Sequence, residues 1–174
     1  MAAVPDGGQG NDDWFISGQV AITDPGASFS FWAKSYTDQY GLEKFNVGVS
    51  TTGTSPSDFS IISGASPIEA PVTWTQYSYD LSSYVGQSIY VAIQCVSFDA
   101  FIFMIDDLEI DPDGGGGGGN PTCDDFDNLD VGDYVAVELS DWTTWSGSPG
   151  TAEDALVTDV TANTTPNSFV VDGS

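Results

Sequence analysis

The chain of 174 residues carries 26 acidic side chains and only two basic ones, Lys34 and Lys44, for a net charge of −24, and it has no histidine. This charge repels nucleic-acid phosphates and anionic membrane surfaces, so we expect no nucleic-acid partner and no membrane insertion. Without histidine the commonest general base and metal ligand is missing, which leaves carboxylate chemistry as the main route to catalysis. We therefore expect a binding protein and not an enzyme. Hydrophobic residues make up 40% of the chain, enough for a folded core.

Alternating apolar residues predict β-strands through the front of the chain. Phe29, Phe31 and Ala33, for example, alternate with polar residues or tryptophan, a period of two that is typical of a strand with one buried face. The predicted strands include residues 29–33, 45–49, 89–95 and 101–105. Turn-forming clusters at 52–58 and 82–86 lie between them. This pattern predicts an all-β fold, a jelly-roll β-sandwich of antiparallel strands.

A glycine run divides the chain. Residues 112–121 include six consecutive glycines and predict a flexible linker between a front module, 1–111, and a back segment, 122–174. The back segment also has a β-like pattern, with weak alternation over 131–139 and a short predicted strand at 168–171. Its few apolar residues make it marginal as an independent domain.

The order of several short motifs in the front module resembles the cleaved-adhesin, or choice-of-anchor J, modules of large secreted bacterial surface proteins. The motifs are Asp12-Asp-Trp-Phe-Ile-Ser17, Phe29-Ser-Phe-Trp-Ala33, Glu43-Lys-Phe-Asn-Val-Gly-Val-Ser-Thr-Thr-Gly53, Trp74-Thr-Gln76, Asp80-Leu-Ser-Ser-Tyr-Val-Gly-Gln87 and Ile105-Asp-Asp-Leu-Glu-Ile110. The resemblance implies a MAM-like jelly roll, an extracellular location, binding of carbohydrate or protein, and calcium for structural stability.

The chain departs from the pattern of that family at its start. Such modules usually have an acidic-aromatic strand before the Asp-Asp-Trp motif, whereas only eleven residues precede Asp12. The segment from Cys123 to Asp127, with the tryptophans at 142 and 145, resembles that missing opening half. Two interpretations follow. The back segment is the opening half of a second module, or it supplies strands that complete the first sandwich, within one chain or between neighbouring copies.

Two acidic pairs and the opening of the back segment form a candidate calcium site. Ca²⁺ prefers six to eight oxygen ligands, and clustered carboxylates without basic partners favour a divalent counterion. We expect Asp13 and Asp106 or Asp107 to join Asp125 or Asp127 around one ion. The alternative is that these residues are solvated acids at turns and strand ends.

Aromatic side chains near the β-hairpin connection at 35–44 form a candidate ligand site. Exposed aromatic faces stack on sugar rings, and acidic or amide neighbours bind sugar hydroxyl groups. The candidates are Trp32, Tyr36, Tyr40 and Glu43. The alternatives are core packing for the tryptophan and a charged loop in which Glu43 pairs with one of the two lysines.

The two cysteines, Cys95 and Cys123, form neither a metal-binding nor a redox motif. They are either two separate thiols or one bridge across the linker.

Together with the composition, the family resemblance implies a calcium-stabilised adhesion or recognition module, extracellular and attached to a larger secreted bacterial protein. Its expected partner is a surface glycan or a protein ligand. Two other functions remain open: a subunit that assembles with copies of itself into a filament by strand exchange, and a carbohydrate-binding module attached to a secreted hydrolase.

Overall fold

The computed structural model describes residues 10–98, 100–114, 122–124, 129–140, 142–144, 147–151, 154–160, 162 and 167–171, with the backbone alone at 122–124, 170 and 171. These residues form antiparallel β-strands in two sheets, one helix of four residues, α1 (Val135–Glu138), and two single 3-10 turns, Pro56–Asp58 and Ser82–Tyr84. In the described part of the chain, no helix has the length and hydrophobicity needed to span a bilayer.

Seven strands form the first sheet. In chain order they are β1 (Asp13–Ser17), β2 (Val20–Ala21), β4 (Lys44–Ser50), β5 (Ser60–Ile61), β6 (Ile68–Glu69), β8 (Ser88–Cys95) and β11 (Trp142–Thr144). Their spatial order is β11-β1-β8-β4-β5, with β2 paired to β8 and β6 paired to β4.

Six strands form the second sheet. They are β3 (Ser28–Ser35), β7 (Thr75–Asp80), β9 (Phe103–Asp111), β10 (Thr122–Asp124), β12 (Ala155–Thr158) and β13 (Ser168–Val171). Their spatial order is β12-β13-β9-β3-β7, with β10 paired to β9. The prediction of an antiparallel all-β sandwich is confirmed.

The core lies between the two sheets, where the alternating residues predicted it. Phe29, Phe31 and Ala33 on β3 are buried, while the residues between them are only half-buried. The ring of Phe31 meets Phe45 of the first sheet edge to face, with centroids 5.7 Å apart. Burial of apolar side chains between the sheets is the main favourable contribution to folding, and each aromatic ring buries a large area.

The apolar run at 101–105 differs from its prediction. The strand begins at Phe103, and Phe101 lies in the preceding loop with 38% of its side chain exposed. Phe103, Met104 and Ile105 are apolar because all three are buried in the strand, whereas Phe101 is partly exposed to solvent in the loop.

Strands from the back segment extend both sheets. β11 pairs with β1, and both β10 and β13 pair with β9, the last strand of the front module. Trp142 is buried and stacks on Phe15 with ring centroids 4.3 Å apart, and Phe169 packs on the same phenylalanine at 4.7 Å. In this single chain the back segment therefore contributes to the same core as the front module.

The predicted β pattern over 131–139 is wrong, because residues 135–138 form the helical turn α1. Val135 and Ala136 are buried and Val137 and Glu138 are exposed, a pairwise pattern that fits a helical turn and not a strand. The side chain of Asp154 accepts a hydrogen bond from the Ala136 N–H at 3.0 Å. This N–H lies in the first helical turn and has no hydrogen-bond acceptor within the helix.

The glycine run begins against the body of the sandwich. The Gly114 N–H donates to the side chain of Asp111 at 2.8 Å, and its φ of 68° lies in the left-handed region that favours glycine. A Cβ atom at Gly114 would overlap the backbone of Gly26. At this position glycine is therefore required by close backbone packing.

Candidate functional site

Two loops meet at one end of the sandwich. Residues 36–43 connect β3 to β4, and residues 96–102 connect β8 to β9. The last residue of β3, Ser35, pairs with the first residue of β9, Phe103, and the Tyr36 N–H donates to the Ile102 carbonyl at 3.0 Å. The sheet register thus brings together two loops that are more than fifty residues apart in sequence.

These loops display a group of aromatic side chains that we call the aromatic end: Tyr36, Tyr40, Phe98 and Phe101. Their exposed fractions are 44%, 58%, 59% and 38%. Phe101 lies between the two tyrosines, with its ring centroid 5.7 Å from Tyr36 and 6.1 Å from Tyr40. Among the residues that the structure describes, every exposed aromatic side chain lies in these two loops. Clustered exposed apolar surface of this kind marks interaction sites.

Polar groups surround Tyr40. The amide nitrogen of Gln39 donates to the Tyr40 hydroxyl at 3.2 Å. The Gly41 N–H donates to the Asp38 carbonyl at 3.1 Å, and Gly41 has a φ of 101°, so the tight turn that presents Tyr40 depends on a glycine. The site therefore combines aromatic rings with amide and hydroxyl groups.

Glu43 lies beneath the aromatic end and is only 1% exposed. Its carboxylate accepts a hydrogen bond from the Ser97 hydroxyl in the opposite loop, and its N–H donates to Ser35 Oγ at 2.8 Å. Glu43 therefore joins the two loops from below. The expectation that it contacts a ligand directly needs correction, because this bonding places the side chain inside the protein.

Burial also shifts the pKa of the Glu43 carboxyl group. Removal from water raises the pKa of Glu43 above its ordinary value of 4.5, partly offset by the hydrogen bond from Ser97. The neighbouring thiol of Cys95 lies 3.9 Å from the Glu43 carboxylate, and burial raises its pKa to about 11. Cys95 is a free thiol, so the predicted alternative of a bridge from Cys95 across the linker is not seen in this structure.

We expect Glu43→Gln to stabilise the protein increasingly as the pH rises from about 4 to 8. A raised pKa in the folded state means that folding opposes ionisation of Glu43, so its contribution to stability is complete at low pH and is lost as the pH rises through the folded pKa. Glutamine cannot ionise and keeps an oxygen that accepts from Ser97. Thermal unfolding of both proteins across this pH range measures the difference.

The exposed acid in the same loop supplies the control for this experiment. Asp38→Asn also removes one negative charge, but from an exposed side chain. Its melting temperature relative to the parent protein should vary far less with pH. If the gain in melting temperature from Glu43→Gln stays constant or shrinks as the pH rises, the raised pKa of Glu43 is contradicted.

The two lysines have other partners. Lys44 forms an ion pair with Glu69 at 3.3 Å, and the ammonium group of Lys34 lies 5.9 Å from the ring centroid of Trp74. The predicted alternative of a Glu43–lysine pair is therefore wrong: the Glu43 carboxylate points into the sandwich while both lysine side chains bind at its surface.

Trp32 lies apart from the core. It is half-buried on β3, its side chain alternates with the buried Phe31 and Ala33, and its register partners are Gln76 on β7 and Asp106 on β9. Its role in ligand binding stays a prediction.

The candidate metal ligands Asp106 and Asp107 lie on β9 between the residues that pair with β13 and those that pair with β10. β13 pairs with residues 103–105 of β9, and β10 pairs with 108–110. Asp106 is fully buried and accepts the Asp107 N–H at 2.9 Å. Among the described residues, Asp107 alone combines a side chain with a positive φ, here 49°. Aspartate tolerates that conformation better than most residues, at a modest energetic cost.

Two further polar residues come close to this position, and the sequence did not single them out. Asn167 and Ser168 directly precede Phe169, whose register partner is Ile105, so they lie beside Asp106 and Asp107. Both are buried, and the Asn167 amide donates to the Leu129 carbonyl at 2.8 Å. We call Asp106, Asp107, Asn167 and Ser168 the polar corner. Its carboxylate and amide oxygens are ligand types that Ca²⁺ prefers.

The other candidate metal ligands are placed differently. Asp13 lies on β1 of the first sheet, opposite Cys95 of β8, and so in the other layer from the polar corner. Asp125 and Asp127 lie outside the described residues. Within the described ranges, no three acidic or cysteine side chains are grouped closely enough to hold an ion together. The calcium site stays a prediction.

Comparison with solved structures shows the fold. The K3 cleaved adhesin domain of Lys-gingipain from Porphyromonas gingivalis is similar to this chain, with a TM-score of 0.50 and 23% sequence identity over 59% of this chain and 65% of that domain. The chain shares the fold of a cleaved adhesin domain. The resemblance predicted from the short motifs is confirmed at the level of the fold.

Two other domains of Lys-gingipain match less well. The K1 domain from the same organism gives a TM-score of 0.45 and 25% identity, over 58% of this chain and 63% of that domain. The K2 domain gives 0.46 and 20%, over 58% and 64%. This chain spans less than two thirds of each of these domains. Neither a protein-family model nor a curated protein sequence matches it.

Proposed function

We propose that this chain is an extracellular adhesion or recognition module of a larger secreted bacterial protein, with a binding and not a catalytic role. The observation that carries the proposal is the aromatic end, in which exposed rings are concentrated on two adjoining loops of an otherwise well-packed sandwich. Binding sites are commonly built in this way, with loops presented by a rigid scaffold. The fold shared with a cleaved adhesin domain supports the same function.

Calcium forms the second part of the proposal. Asp106 or Asp107 would hold the ion together with Asp125 or Asp127, and Asn167 and Ser168, which precede the register partner of Ile105, would add amide and hydroxyl oxygens. A bound Ca²⁺ would supply positive charge to a chain with 26 acidic side chains, and it would fix the junction of three strands. Both effects favour the folded state.

Adhesion can be measured with the whole chain coupled to fluorescent beads in calcium-containing buffer. We expect these beads to adhere to surfaces coated with yeast mannan, galactomannan or fibronectin, and free chain in solution to compete with them. Beads coated with serum albumin provide the baseline. Adherence no greater than this baseline on every surface would contradict the proposal. Size-exclusion chromatography at several protein concentrations tests the filament function, which predicts growth in size with concentration.

A further inference from the structure

We infer that the aromatic end is a binding site for a single, soluble, uncharged glycan chain, with Tyr36, Tyr40 and Phe101 as its contact residues. This inference rests on the proposed adhesion function and specifies the chemical class of its ligand. Three properties of the site carry it: the arrangement of the rings, the polar groups beside them, and the charge of the protein.

The rings form a faceted surface. The plane of Phe101 is tilted by 59° to that of Tyr36 and by 48° to that of Tyr40. A flat crystalline polysaccharide requires coplanar rings, because its sugar units lie in one plane. Tilted rings instead present several faces to one chain that bends or inserts between them, and each face can pack against sugar C–H groups.

Hydrogen-bonding groups stand beside these rings. Tyr36 and Tyr40 each carry a hydroxyl group, and the exposed Gln39 side chain already binds the Tyr40 hydroxyl. Thr37 and Asp38 belong to the same short turn, and the Thr37 hydroxyl accepts the Gln39 N–H at 3.2 Å. Amide, hydroxyl and carboxylate groups next to an aromatic face provide the donors and acceptors that sugar hydroxyl groups need.

Charge selects among the possible ligands. A net charge of −24 repels acidic polysaccharides, and the two lysines already bind Glu69 and the ring of Trp74. A protein partner of ordinary affinity needs about 800 Å² of surface on each side, which is more than four side chains on two short loops provide. An uncharged glycan fits both the charge and the size of the site.

Affinity electrophoresis in native gels tests this inference with named probes. We expect soluble hydroxyethylcellulose, galactomannan or yeast mannan to retard the chain in the gel, and polygalacturonate not to retard it. In a separate pull-down, crystalline cellulose should not bind the chain. The variant Tyr40→Ala/Phe101→Ala should weaken the dissociation constant for the retarding glycan at least tenfold. Tyr40→Phe should weaken it less, because it keeps the ring and loses only the hydroxyl.

Val85→Ala provides the matched control. Val85 is 42% exposed in the turn after β7, and that turn lies at the opposite end of the sandwich because Asp80 pairs with Ser28, the first residue of β3. This variant should bind as the parent does, and unchanged melting temperatures show that all variants are folded.

The inference would be overturned by no retardation by any of the neutral glycans, or by equal retardation of the double variant. Binding only to a basic probe such as lysozyme, and its loss in 0.5 M salt, would also overturn it, because it would show electrostatic attraction of a protein. If the beads adhere and the double variant adheres equally, adhesion stands and the glycan site is wrong.

Discussion

Replacing Trp142 with alanine is expected to destabilise the entire sandwich by about 3–5 kcal/mol, the usual cost of truncating a buried aromatic residue. Trp142 is 3% exposed, stacks on Phe15 of β1 and lies on β11 at the edge of the first sheet. The truncation removes this stacking and leaves a cavity between the front module and the back segment. Urea unfolding followed by far-UV circular dichroism measures the loss.

The same experiment tests how the chain is organised. If the back segment is part of one sandwich, the parent protein and Trp142→Ala each unfold in one transition, and the whole transition shifts. A separate back module would instead give two transitions, of which only one shifts. Val160→Ala is the control within the same segment, because this side chain is 65% exposed, and it should change the stability by less than about 0.5 kcal/mol.

The length of the glycine-rich stretch favours strand completion within one chain. Residues 115–121 are all that separates Gly114 from β10, so the two parts of the chain stay close together. A connection this short gives the back segment an effective concentration in the millimolar range around its own front module. Strand exchange between copies would require a protein concentration above that value. The net charge of −24 further opposes contact between two copies. Assembly into a filament would therefore need a high protein concentration or screening by salt.

The strands that could be predicted are those whose pattern is local. Phe29, Phe31 and Ala33 show their buried face by alternation alone, because successive residues of a strand point to opposite sides. The turn α1 could not be predicted in this way. Its conformation depends on Asp154, which lies outside any short window and accepts the Ala136 N–H.

The candidate sites show the same limit. The hairpin sequence alone predicts Tyr36 and Tyr40 as site residues, whereas the apolar run places Phe101 in a strand. The contact of Phe101 with the tyrosines depends on how two distant loops meet. Ser168 begins a predicted strand and Asn167 directly precedes it, yet their position beside Asp106 follows from the pairing of β13 with β9. Pairing between strands that are far apart in sequence leaves no local signal.

Calcium is expected to raise the free energy of unfolding by about 2.7 kcal/mol when its free concentration is a hundred times the dissociation constant, because an ion that binds only the folded state stabilises it by mass action. The effect should appear as a higher melting temperature in calcium than in excess EDTA. It should be lost in Asp106→Asn, which replaces a buried carboxylate by an amide that can still accept the Asp107 N–H. Isothermal titration should likewise show one site in the parent protein and none in this variant.

General screening of charge must be separated from binding at a site, since any divalent cation reduces the self-repulsion of a chain with net charge −24. Magnesium at the same concentration supplies this screening, but it demands octahedral geometry and gives up its water reluctantly. Calcium should therefore stabilise the parent protein more than magnesium does. Asp38→Asn, which lacks an exposed acid in a loop, should keep this difference, whereas Asp106→Asn should respond equally to both ions. Equal stabilisation of the parent protein by calcium and magnesium would show that the polar corner holds no specific ion and that its buried carboxylate is stabilised by the protein alone.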